Sequence, residues 1–130
     1  MMPPRSVSFD DDDPYLGNRP HVDLILFCPA GPVQIKNALV DTGADYTQVD
    51  LGVASQAGLA PHQQGVPISL ATAGGAVSAY LMRVTVEVLG HQVGMQVCFA
   101  PNANPLLGRQ GIFSVMDDVG FTPGDWLQKW

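Results

Sequence analysis

The sequence predicts an all-β domain, a closed and mostly antiparallel β-barrel with one or two short helices. Three observations point there. The 130 residues include 14 Gly and 11 Pro, a turn-rich composition that favours many short strands over long helices. The apolar runs are short and bounded by Gly, Pro, Asn and Asp. One stretch alone carries both a helix start and a helix stop signal.

Residues 1–20 read as a flexible, acidic, Pro-rich tail. Pro3, Pro4, Pro14 and Pro20 interrupt regular structure, and Asp10 to Asp13 repel one another. One folded domain is expected over residues 21–130. "HVDLILFC", "PAGP" and "VQIKNALV" read as strand, turn, strand. After the polar loop that follows, "TQVDLGVASQAGLAP" offers Asp50 as an N-cap and Pro61 as a stop, hence a short helix. "VPISLATAGGAVSAYLMRVTVEV" splits into two strands about "AGGA" at 73–76, whose glycines suit a hairpin turn. "LGHQ" turns the chain into "VGMQVCFA", another strand, and "PNANP" is a loop. An apolar pair then meets Gly108, and a second short helix is expected from Arg109. The end, "VGFTPGDWLQKW", holds both tryptophans and reads as packed rather than frayed. The tally is about seven strands.

Composition narrows the function classes. With 46% hydrophobic residues the chain is globular, and at 14% charged its surface is thinly charged, as a face covered by a partner would be. The net charge is −6 and the six Lys and Arg are scattered, which excludes a phosphate-binding footprint and hence nucleic acid. No apolar run approaches the ~20 residues of a membrane span. "MMPPRSVSFDDDDPY" lacks the apolar core of a signal peptide, so the expectation is a cytoplasmic protein that does not engage a membrane. Cys28 and Cys98 lie in apolar strands and read as buried, reduced thiols, with a bridge as the alternative. No Cys or His stands at metal-ligand spacing, so no metal is expected, and His21, His62 and His91 take no role.

The loop in "NALVDTGADYTQV", residues 37–49, carries the chemistry. A small apolar run delivers Asp41 from the core, Thr42 bonds locally, and Gly43 permits a close backbone approach. From these residues alone two readings stand: an ordinary Asx-type turn, or a catalytic carboxylate lacking its second group.

"LVDTGAD" at 39–45, the glycine-tipped hairpin and "PLLGR" at 105–109 occur in this order. Together they resemble the retropepsin family, the single-domain aspartic proteases of retroviruses, and especially their stand-alone bacterial relatives. The resemblance covers about residues 22–116. It implies that Asp41 is the catalytic aspartate and that Thr42 and Gly43 form the active-site loop and dimer contact. Gly43, Ala44, Asp45, Gly74 and Gly75 would meet the substrate, the last two as the tip of a flap. Asp45 and Arg109 would tie the loop to a C-terminal helix, with Leu106, Leu107 and Gly108 bracing it from below. The chain holds one D-T-G, so the second carboxylate implies a homodimer, with Asp41 facing its symmetry mate. Such a pair shares one proton and activates a water, and needs no cofactor.

This chain also departs from the family. Its flap, "TAGGAV", is less glycine-rich and less apolar, and Tyr46 follows Asp45 where the viral enzymes often have an acid. The viral dimers are sewn together by both chain ends. An acidic N-terminus suits such a sheet poorly, so the tail is expected to be removed or disordered, with "DWLQKW" the better interface candidate. The leading expectation is an endopeptidase that cleaves extended peptides between bulky apolar residues. The rivals are a non-catalytic dimerisation or peptide-binding module of the same fold, and an unrelated β-barrel with a coincidental D-T-G.

Overall fold

The computed structural model describes residues 11–113, 115–116 and 118–130. Among the described residues, ten strands and two short helices run in the order β1 (Asp11–Leu16), β2 (Arg19–Cys28), β3 (Gly31–Val40), β4 (Thr47–Asp50), α1 (Gly52–Gln56), α2 (Pro61–Gln64), β5 (Val66–Thr72), β6 (Gly75–Val88), β7 (His91–Ala100), β8 (Leu106–Leu107), β9 (Asp118–Thr122) and β10 (Asp125–Lys129).

Alternation builds the core. Val22, Leu24 and Leu26 of β2 are buried while Asp23 and Phe27 are exposed, and on β6 Val84, Val86 and Val88 repeat the pattern. These two strands pair antiparallel, Leu24 opposite Val88 and Leu26 opposite Val86. Burying side chains of this size stabilises the fold by ~1.5–3 kcal/mol each. Phe99, Met95, Leu107, Ile112 and Trp126 are among the other members of the main cluster. A second, smaller cluster of Ala79, Cys98 and Ala100 lies apart from it, packed by Tyr46, Ile68, Leu70, Leu81 and Ala103.

The strand order is β5-β6-β7-β4-β8-β3-β2-β1-β10-β9, with β6 also joined to β2. That extra pairing bends the central strands round the main core. The expected closed barrel is not formed, however. Its weakest link, β4 to β8, is a single residue pair, Gln48 with Leu106, because β8 is only two residues long between Pro105 and Gly108. β5 and β9 remain as edges.

Three further expectations change. Asp11–Leu16, placed in the tail, form β1, which pairs with β10 from Asp11 opposite Gln128 to Pro14 opposite Asp125 and turns into β2 at Leu16. Proline fits there because β1 pairs with β2 only at Tyr15 and Leu16, so no ladder bond to β2 is lost at Pro14. Residues 1–10 lie outside the described residues. "VGFTPGDWLQK" is a hairpin, with Pro123 and Gly124 at its tip and Gly124 at φ 87°. β10 is therefore paired with β1 along Asp125 to Gln128 and with β9 along Asp125 to Lys129. The short helix expected between Asp50 and Pro61 is α1, with Leu51 at its N-cap in place of Asp50, and Pro61, expected as a stop, opens α2, where its missing N–H costs nothing.

One irregularity decides what the end of β3 faces. Between the pairs Val22–Ala38 and Leu24–Ile35, β3 carries one residue more than β2. This bulge falls at Lys36 and Asn37, with Asn37 at φ 56° and its N–H donated to Asp23 Oδ1 at 2.9 Å. Ile35 faces the core before the bulge, and Ala38 and Val40 face it afterwards. The extra residue thereby turns Leu39 and Asp41 away from the core.

Candidate active site

Asp41 leaves the end of β3 half-buried, and its loop is tied to the segment after β8. β3 and β8 run parallel, Leu39 beside Leu106 and Val40 beside Leu107. The Asp41 N–H donates to the Leu107 carbonyl at 2.9 Å, and the Asp41 carbonyl accepts the Ala44 N–H at 3.2 Å. Within the loop the Gly43 N–H donates to Asp41 Oδ1 at 3.0 Å. A side chain at position 43 would bring its Cβ to 3.3 Å from that oxygen, so glycine keeps the approach to the carboxylate open. Thr42 and Gly43 are exposed.

Arg109 and Gln110 clamp the far side of the loop. Their N–H groups donate to the carbonyls of Ala44 at 2.7 Å and Asp45 at 2.9 Å. The Arg109 guanidinium pairs with the Asp45 carboxylate at 2.5 Å. Both side chains are well exposed, so the contact fixes geometry more than it stabilises. Beneath, the buried Thr47 hydroxyl accepts the Gly108 N–H at 3.2 Å. A Cβ at Gly108 would overlap the Tyr46 carbonyl, hence the glycine. Among the described residues after Arg109, 110–113 and 115 form turns instead of the expected helix, with Gly111 at φ 95°.

The two leucines of β8 divide. Leu107 is fully buried in the core, whereas Leu106 is half-exposed and lines a cleft. That cleft holds two adjoining cavities, one of about 370 Å³ and one of about 220 Å³. Leu39, Leu106 and the 100–105 loop form the floor of the larger cavity, and Leu70 and Val77 roof it. Leu70 and Val77 face each other across the β5–β6 hairpin, whose exposed tip is Ala73, Gly74 and Gly75. The smaller cavity continues the cleft along Ala44, Asp45 and Tyr46. Gln48, Leu70 and Leu106 line both. Sequence reasoning missed Leu39, Gln48, Leu70 and Val77. The alternation in β4, with Thr47 and Val49 fully buried, is the signal that turns Gln48 into the cleft.

Among the described residues, no cluster of His, Cys, Asp and Glu is arranged to hold a metal ion. A family model described as aspartyl protease matches residues 31–112, more than half of the chain. This chain belongs to the aspartyl protease family, in its retropepsin-like clan. The matched span runs from the start of β3, through Asp41 and the hairpin, to just past Arg109. The search of curated proteins returns no match to the chain. Membership of this family points to a hydrolase of the protease class. Among the described residues, no helix is long and apolar enough to cross a membrane.

Proposed function

We propose that the chain is an aspartic endopeptidase that works as a homodimer, with one Asp41 from each protomer activating a water. The observation that carries this reading is the placement of Asp41. A bulge turns it out of the core, its backbone is pinned to Leu107, and it stands on the same strand face as Leu39, which lines the cleft. The chain has one D-T-G, so a second Asp41 is the natural source of the other carboxylate.

Two carboxylates roughly 3 Å apart do not both ionise easily, so the pair holds one proton. The ionised member takes a proton from the water as that water attacks the scissile carbonyl. The protonated member gives its proton to the carbonyl oxygen, producing a tetrahedral intermediate. As the C–N bond breaks, the protonated member gives its proton to the leaving amine and the ionised member takes one from a hydroxyl of the intermediate, so the pair again holds a single proton. The substrate backbone lies extended between the β5–β6 hairpin and the cleft floor, bound like an added strand. Gly43 leaves it room beside the carboxylates. Thr42, exposed next to Asp41, is assigned to the contact between the two loops.

The test is cleavage of a peptide mixture at acidic to neutral pH by wild type and Asp41→Asn. Loss of cleavage in the variant supports the enzyme, and equal cleavage by both defeats it. Sedimentation at micromolar concentration tests the dimer, since a strict monomer has no second carboxylate.

A further inference from the structure

β4 fixes Gln48 from both sides. It pairs with Cys98 on β7 and with Leu106 on β8, while Thr47 and Val49 on either side are sealed in the core. The backbone is therefore rigid, and the side chain has only the cleft to enter. In the smaller cavity Ala44, Leu70, Cys98 and Leu106 supply apolar walls, Tyr46 adds a half-buried phenol, and the Asp45 carboxylate is engaged by Arg109. The Gln48 amide makes no hydrogen bond to any other described residue. A primary amide presents an acceptor oxygen and a two-proton donor side by side. Another carboxamide is the side chain that satisfies both at once.

We infer that Gln48 is a specificity-determining residue, selecting a carboxamide (Gln or Asn) at the substrate position that fills this cavity. The inference rests on the peptidase reading and names its substrate class, replacing a purely apolar preference at that position. An apolar side chain of equal size would displace water from the Gln48 amide and return no hydrogen bond. A carboxylate offers acceptors alone, so it would leave the Gln48 amide oxygen without a donor. A cation would find the Asp45 charge already answered by Arg109.

The experiment uses peptides in which Gln and Leu are exchanged in turn at each position flanking the cleaved bond. Wild type is compared with Gln48→Met, the closest apolar match in shape, and with Gln48→Leu. At one position wild type should favour Gln in kcat/KM by about tenfold, the scale of a hydrogen bond between neutral groups at a half-exposed site. Both variants should abolish or reverse that preference with unchanged thermal midpoints. The same peptides, fluorescently labelled, are titrated against Asp41→Asn with and without Gln48→Met. A Gln48-dependent binding preference without cleavage by wild type would sink the peptidase reading and keep this one. Cleavage with the same Gln-to-Leu ratio in every variant would overturn this inference and leave the peptidase standing. Neither binding nor cleavage would overturn both.

Discussion

The carboxylate of Asp23 holds the backbone N–H of Asn37 at 2.9 Å, and this contact braces the bulge on which the aim of Asp41 depends. Asn37 sits at φ 56°, where a short polar residue or glycine is comfortable and a β-branched one is not. Asn37→Gly should therefore leave the urea midpoint nearly unchanged. Asn37→Val should lower stability by about 1–2 kcal/mol, with the larger effect on cleavage if the bulge shifts.

Gly108 and Arg109 are neighbours with opposite expected sensitivities. Gly108→Ala forces a Cβ into the Tyr46 carbonyl, backbone against backbone, and should cost about 1–3 kcal/mol as an overpacked site. Arg109→Ala removes an exposed ion pair and should cost under about 1 kcal/mol. Denaturant titration of the two variants checks the order.

The leucines of β8 separate stability from substrate handling. Leu107→Ala empties a fully buried site and should cost about 2–5 kcal/mol. Leu106→Ala should cost much less, yet weaken peptide cleavage through KM, because Leu106 lines both cavities. Thermal melts beside steady-state kinetics distinguish them.

Burial pushes the thiols of Cys28 and Cys98 above their ordinary value of 9.0. The fold thus favours the neutral thiol. The stability this contributes is fully present below the unfolded value and fades as pH rises through the folded one. Iodoacetamide at neutral pH should label both slowly in the native protein, Cys98 more slowly than Cys28, and both quickly in urea. Native-state stability should decline once the pH passes 9.0, and Cys98→Ala should soften that decline.

Much of this was legible in the residues. The alternation in "HVDLILFC" and the glycines of "AGGA" mark the strands and hairpin without tertiary help, and D-T-G with Leu-Leu-Gly-Arg marks the loop and its clamp. β1 was hidden because Pro14 and the acidic run argue locally against a strand, while its pairing with β10 is a long-range contact. The Pro123–Gly124 tip was a readable hairpin signal, masked by reading the two tryptophans simply as packed. The helix after Arg109 failed for a local reason, Gly111 at positive φ. The bulge at Asn37 could not be read from β3 alone, since it exists only relative to β2.

The pairing of β1 with β10 brings together segments from nearly opposite ends of the described chain. A contact of that sequence separation closes a very large loop and belongs among the late events of folding. On the ribosome β1 emerges well before β10 and has no partner on that side in the interval. The sheet that buries Trp126 therefore waits for β10 to appear, and β1 carries an open strand edge until then.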